Sequence, residues 1–142
     1  MNHSLNELNE IVDGIANTRE ILAYALVRRD GIMITDGLTN SADPKLIAAM
    51  TVAISGTAEL ATKLLRQGRF LRTIVECERG KILITDAGRH ALLLSLVYSD
   101  ANLGLLLMQL EKVGRRIESA LEHDVLQEDV VETDERATNR QK

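Results

Sequence analysis

The stretch PKLIAAMTVAISGTAELATKLLRQ, from Pro44 to Gln67, decides the fold of this chain. It predicts one long helix, because Asp43 and Pro44 suit a helix start and Gly68 suits a helix end. One stripe at helical spacing consists of apolar or small residues, namely Leu46, Met50, Ala53, Thr57, Leu60 and Leu64. A second stripe runs beside it, namely Ile47, Ile54, Ala58, Ala61 and Leu65.

The apolar surface of this helix is wider than one sheet requires, since a surface helix normally needs a single apolar stripe. The middle of the helix is built from small residues, which are Ala48, Ala49, Ala53, Ser55, Gly56, Ala58 and Ala61. Small side chains allow another backbone to come close. We therefore expect the helix to cover its own sheet and also to meet a second protein surface, which favours assembly over catalysis.

The composition fits one globular domain with an aliphatic core. The chain has 142 residues, of which 45% are hydrophobic and only 2% aromatic. A domain of this length buries a substantial core. Because base-stacking platforms need exposed aromatic rings, and because the net charge is −4 with no basic stripe, we expect no nucleic-acid partner.

The end of the chain differs in composition from the rest. Residues 124–142 contain six acidic and three basic residues and few apolar ones, so we predict one folded domain at 1–123 and an acidic, disordered tail at 124–142. The sequence shows no signal peptide and no apolar run of transmembrane length, from which we expect a cytoplasmic protein without membrane insertion.

The remaining elements are predicted from hydrophobic periodicity and turn residues. They are a helix from Leu5 to Ala16, strands at Ile21 to Arg28, Ile32 to Thr35, Phe70 to Glu78, Lys81 to Asp86 and His90 to Tyr98, and a last helix with an apolar stripe from Leu103 to Leu121. The order α-β-β-α-β-β-β-α gives an α/β chain of the α+β type. We predict a five-stranded antiparallel sheet with the long helix on one face and the two terminal helices on the other.

The sequence contains no recognisable catalytic or cofactor motif. The chain has no phosphate-binding loop of the form Gly-x-x-x-x-Gly-Lys-Ser/Thr, so it is not expected to be a GTPase itself. The histidines at positions 3, 90 and 123 lack metal-ligand spacing. Cys77 alternates with Val75 and is interpreted as a small hydrophobe on the apolar face of its strand. We expect no cofactor, no metal and no enzymatic activity.

Three local motifs, in this order, resemble those of the roadblock family, which includes roadblock-type dynein light chains and bacterial MglB-like proteins. Val27-Arg28-Arg29-Asp30-Gly31-Ile32-Met33-Ile34 is similar to the first hairpin of the family. Glu78-Arg79-Gly80-Lys81-Ile82-Leu83-Ile84-Thr85 is similar to the second. Asp100-Ala101-Asn102-Leu103-Gly104-Leu105-Leu106 resembles the entry into the last helix and is the most specific of the three.

This resemblance implies a homodimer. In roadblock dimers the long middle helices lie side by side and the third strands pair across the interface, which would also hide the edge of the third strand. Transferred to this chain, the predicted interface combines small and apolar residues of the long helix with residues of the third strand. These are Ala49, Ala53, Gly56, Thr57, Leu60, Leu71, Thr73 and Val75.

The resemblance also implies a small Ras-like GTPase as partner, because family members bind such proteins and MglB-like members stimulate their GTP hydrolysis. The predicted GTPase-binding surface is the outer edge of the long helix, formed by Lys45, Val52, Glu59, Lys63 and Arg66. Arginines that could reach a nucleotide are Arg28, Arg29, Arg66, Arg69, Arg72 and Arg79. We interpret them as surface charges, so that any stimulation would come from repositioning the residues of the GTPase.

Three functions compete at this point. The first is a non-catalytic homodimer that regulates or scaffolds a GTPase, and the second is a structural adaptor, similar to a light chain, for a kinase or another complex. The third is a small-ligand sensor, against which the sparse polar groups on the strands argue.

Overall fold

The computed structural model describes residues 3–39 and 42–140, with side chains described for 6–39 and 42–122. The elements follow the chain in the order α1 (His3–Ala16), β1 (Ile21–Arg28), β2 (Met33–Asp36), α2 (Pro44–Leu64), β3 (Arg72–Glu76), β4 (Gly80–Asp86), β5 (Ala91–Tyr98) and α3 (Leu103–Arg140). This is the predicted order of helices and strands, and the α+β fold class is confirmed.

All five strands form one antiparallel sheet in the spatial order β2-β1-β5-β4-β3. β5 lies at the centre and pairs along most of its length with β1 and with β4. Its run of apolar residues is explained by this position, since a central strand covered on both faces has no solvent side. β2 and β3 are the two edge strands.

The larger core lies between the sheet and the two terminal helices. Ile11 and Ile15 of α1 and Leu110 and Ile117 of α3 are almost completely buried there, together with alternate residues of the central strands such as Leu93. The smaller core lies on the other face, where Ala48 of α2 is buried with residues of β1. The predicted arrangement, with the long helix on one face and the terminal helices on the other, is therefore confirmed.

Several element boundaries differ from the prediction. α2 ends at Leu64 instead of Gln67, because Arg66 takes a positive φ of 54° and Gly68 one of 88°, which no α-helix continues. β3 is shorter than the predicted strand from Phe70 to Glu78, and Cys77 lies after its end in an exposed turn. The interpretation of Cys77 as a buried hydrophobe was wrong.

The predicted acidic tail at 124–142 stays a prediction. α3 extends to Arg140, but the side chains from residue 123 onward lie outside the described part of the structure, as do residues 141 and 142 altogether.

Gly114 allows α3 to lie close against the end of β4. A methyl group at this position would overlap the carbonyl oxygen of Asp86, which is backbone and cannot rotate away. We expect Gly114→Ala to lower the free energy of unfolding by about 1–3 kcal/mol, in the range of other overpacked positions. Urea denaturation measures this change.

The matched control is Gly104→Ala on the same helix, where the nearest atom to the added methyl, Asn102 Oδ1, is at an ordinary 3.8 Å. Its stability should be unchanged or raised by at most about 1 kcal/mol, because alanine favours a helix over glycine. Equal destabilisation of both variants would show that the contact with β4 does not cause the loss in free energy of unfolding.

Tyr24 makes the free energy of unfolding depend on pH in the alkaline range. Burial raises the pKa of this phenol above its ordinary value of 10.0, and the carboxylates of Asp36 and Asp13 raise it further. Because the folded pKa is the higher one, stability is unaffected below about pH 10 and is lost as the pH rises beyond it. Ultraviolet difference titration should show a late-ionising tyrosine that is absent in Tyr24→Phe, and that variant should lose less stability above about pH 10.

Candidate protein-interaction surface

Helix α2 places its small residues against the sheet. The side chains that it buries are Ala48, Thr51 and Ser55, which recur every three or four residues and so share one face of the helix. Thr51 satisfies its hydroxyl within the helix by donating to the carbonyl oxygen of Ile47 at 2.7 Å. The helix can therefore lie close to the sheet while burying little side-chain volume of its own.

Several large apolar residues of α2 point in the opposite direction, into solvent. The exposed fraction is 57% for Leu46, 47% for Met50 and 74% for Leu64. With the exposed Thr57 these residues form a line on the side of the helix that faces away from the sheet, which we call the crest (Leu46, Met50, Thr57 and Leu64). A soluble helix normally shows the reverse pattern, so this crest is the feature of the surface that requires an explanation.

A second exposed line of α2 consists mainly of small residues. This line, which we call the flank, consists of Ala49, Ala53, Gly56 and Leu60. The residues recur at spacings of four, three and four, and all of them are exposed. A Cβ atom added at Gly56 would meet no atom within 4 Å. The opposite side of the helix, at Ile47, packs toward Met33 of β2, so the flank is turned toward the β3 edge of the sheet.

Strand β3 continues this exposed region at the edge of the sheet. It pairs with β4 on one side, and within the described residues no strand pairs with its other side. Thr73 and Val75 are half-buried and share a face with the Ile84 and Ile82 side chains that they oppose, whereas Leu71 is 55% exposed. The Oγ1 atom of Thr73 is buried and has no hydrogen-bond partner in the described part of the chain.

The residues predicted as a dimer interface therefore lie together. Ala49, Ala53, Gly56 and Leu60 are on the flank, Thr57 is on the crest, and Leu71, Thr73 and Val75 are on or beside β3. The flank and the β3 edge are adjacent, so a single second protein could contact both.

The residues predicted as a GTPase surface do not form one free surface. Val52 is half-buried against the smaller core, and the carboxylate of Glu59 is engaged by Arg29. Lys45 and Lys63 are exposed near the two ends of α2, and Arg66 lies beyond the end of the helix. These five residues lie closer to the sheet than the crest does.

The Arg29 side chain ties α2 to the sheet, and no local sequence pattern predicts this contact. Its Nη1 donates to Glu59 Oε1 at 2.9 Å, its Nη2 contacts the carboxylate of Asp86, and its Nε and Nη2 donate to the Gly88 carbonyl oxygen at 3.2 and 3.1 Å. The partners are 30 to 59 positions away along the chain, so no local motif marks them. Arg28 is paired with Asp30 at the surface, so both arginines of this turn take part in ion pairs.

Other kinds of site have little support in the described residues. No group of three or more His, Cys, Asp or Glu side chains is placed there to hold a metal ion. No helix in the described residues is long and apolar enough to cross a membrane. The exposed apolar surface of α2 and the open edge of β3 remain the main candidates for function.

Comparison with known proteins gives this geometry a family context. Two uncharacterised proteins of Methanocaldococcus jannaschii are each 30% identical to the chain over 112 residues, which is 79% of the chain and 97% of each relative. Among solved structures, MglB of Myxococcus xanthus is similar in fold, with a TM-score of 0.73 at 19% identity over 87% of this chain and 93% of that one.

Two further structures have the same fold. MglB of Thermus thermophilus gives a TM-score of 0.70 at 22% identity, over 87% of this chain and 94% of its own. A Roadblock/LC7 domain of Streptomyces avermitilis gives 0.70 at 15% identity, over 82% and 95%. The sequence profile of the Roadblock/LC7 domain matches residues 7–97, which include both hairpins and all of α2. With its fold, its open β3 edge and this match, the chain belongs to the Roadblock/LC7 family.

Proposed function

We propose that this protein is a homodimer that binds a small Ras-like GTPase and regulates or scaffolds it without catalytic residues of its own. The observation that carries the proposal is the orientation of α2, which buries Ala48, Thr51 and Ser55 and exposes Leu46, Met50 and Leu64. Exposed apolar area of this kind favours association, at about 25 cal/mol for each Å² that is buried. Membership of the Roadblock/LC7 family and similarity to MglB support a GTPase as the class of partner.

The small residues of the flank support a second copy as the first partner. Ala49, Ala53 and Gly56 are small and exposed, so the backbone of a second α2 could come close along this line. Two flanks that meet about a two-fold axis present the same residues to each other. Twofold interfaces need this self-complementarity.

The open edge of β3 supports the same arrangement. An exposed strand edge offers unpaired backbone groups that favour pairing with another chain. Antiparallel pairing of two β3 strands would satisfy these groups and would place the two flanks side by side above the joined sheet. The crest of each α2 would remain free on the outside of the dimer, where we place the GTPase.

The dimer is tested by Gly56→Leu. The bulk of leucine on the flank should separate the paired helices, because the added side chain meets nothing in the single chain. We expect the wild-type protein to sediment with about twice the 15.7 kDa mass of one chain at micromolar concentration, and the variant to sediment as one chain.

Gly14→Leu is the matched control for this experiment. Gly14 is also an exposed glycine within a helix, and an added Cβ there likewise meets no atom within 4 Å. This variant should remain a dimer. If wild type is a monomer, or if Gly56→Leu keeps the dimeric mass, the proposed interface is incorrect.

The GTPase is tested with the Ras-like GTPases encoded by the same genome, loaded with a non-hydrolysable GTP analogue for binding and with GTP for turnover. We expect one of them to bind the dimer and to hydrolyse GTP faster. Arg28 and Arg29 are held in ion pairs, so we expect the acceleration not to depend on either of them as an inserted arginine.

Met50→Asp on the crest should weaken this binding at least about tenfold, since central apolar residues dominate interface energies. Its dimeric mass should not change. Met108→Asp is the control, because Met108 is 60% exposed on α3, on the opposite face of the sheet. If no GTPase binds, or if both variants bind equally well, the crest is not a GTPase-binding surface. If a GTPase binds without faster hydrolysis, the protein acts as a scaffold and not as an activator.

A further inference from the structure

The charges of this chain are separated in space. Residues 44–75, which comprise α2, the following loop and most of β3, contain five basic residues and a single acidic one, Glu59. This segment carries +4 in a chain whose net charge is −4, so the rest of the chain carries −8. The one strongly basic segment is therefore also the segment that exposes the crest.

The single carboxylate of this segment, that of Glu59, is paired and partly buried. Glu59 accepts from Nη1 of Arg29 at 2.9 Å, and the two side chains are only 34% and 32% exposed. Arg29 is in turn held by Asp86 and by the Gly88 carbonyl oxygen, and its backbone N–H donates to His90 at 3.0 Å. Glu59 therefore points toward the sheet and not toward a partner on the crest.

The basic residues, in contrast, are exposed and available. Lys45, Lys63, Arg66, Arg69 and Arg72 are all exposed, and within the described residues none of them forms an ion pair. Lys63, Arg69 and Arg89 line one cleft of about 440 Å³ beside the end of α2, together with Arg29 and the carboxylates of Glu59, Asp86 and Glu118.

Stabilisation of the helix does not account for these cations. A basic residue in the last turn interacts favourably with the helix dipole, and Lys63 has this position. The effect falls off within one turn, however, while Arg66, Arg69 and Arg72 follow the end of the helix. Their positive charge is thus available for recognition.

We propose that the surface that docks on the crest is rich in carboxylates, and that Arg29 is a positioning residue that keeps Glu59 from repelling it. This inference rests on the proposed function and adds the chemistry of the partner: an acidic face on the GTPase. Complementary charge steers encounter and raises the association rate more than it changes the contacts themselves.

The shape of the surface favours a protein over an anionic membrane. On the crest, the large Leu46 and Met50 lie at one end and Leu64 at the other, and the smaller Thr57 lies between them. Such a notch accepts a convex element of a protein, whereas a flat bilayer would leave it unfilled.

The experiment measures the association rate of the GTP-analogue-loaded Ras-like GTPase with the dimer. Raising the salt from about 0.01 M to about 0.15 M shortens the Debye length from about 30 to about 8 Å, and should slow wild-type association about tenfold. Arg29→Gln releases Glu59 and should slow association at low salt about threefold, with a weaker dependence on salt.

A double variant distinguishes a positioning role of Arg29 from a role in folding. The double variant Arg29→Gln with Glu59→Gln lacks the same ion pairs but has no carboxylate to expose, so its rate should return to within about twofold of wild type. Arg28→Gln is the matched loss of one positive charge, since Arg28 is paired with Asp30 in the adjacent turn, and it should leave the rate nearly unchanged.

Three outcomes would overturn the inference: association that salt does not slow, a double variant as slow as Arg29→Gln, or equally tight binding to phosphatidylcholine vesicles with about one third phosphatidylserine. The first two leave the proposed GTPase function intact, because binding is still observed. Absence of GTPase binding at both salt concentrations would instead contradict the proposed function itself.

Discussion

The close contact between α2 and the sheet is the constraint on which the rest of the structure depends. Only Ala48, Thr51 and Ser55 are fully buried at this contact, and their small volume lets the helix backbone approach the strands. Because one side of the helix is thereby filled with small residues, its large ones must face elsewhere. The exposed crest is thus a direct consequence of how α2 is seated.

Such an arrangement contributes little to the stability of a single chain, and the fold compensates on the other face. The core between the sheet and helices α1 and α3 contains most of the large buried side chains, including Ile11, Leu93 and Ile117. One face of the sheet therefore provides the stability of the domain and the other face is available for association. On the second face, the Arg29 ion pairs add a polar anchor for the C-terminal half of α2.

The positive charge and the exposed apolar residues lie in the same segment of the chain. Residues 44–75, which contain the crest, the flank and most of β3, include five basic residues and one acidic residue, Glu59, which pairs with Arg29. An apolar surface with a basic rim combines the two features that protein interfaces use, burial at the centre and polar residues around it. A surface for a second copy and a surface for another protein can then exist side by side on one helix.

The sequence by itself determined the order and type of the elements, because helical and alternating patterns and the Asp-Gly and Arg-Gly turns are local signals. It also showed that α2 has more apolar surface than one sheet requires. Only the tertiary structure showed that the buried residues of α2, which are Ala48, Thr51 and Ser55, belong to neither stripe. The spacing of the apolar residues does not tell which side of the helix the sheet covers.

The tertiary structure also decided that α2 ends early, that Cys77 is exposed and that Glu59 pairs with Arg29. These features depend on backbone conformation at Arg66 and Gly68 and on groups up to 59 positions apart, and only the folded chain brings such groups into contact.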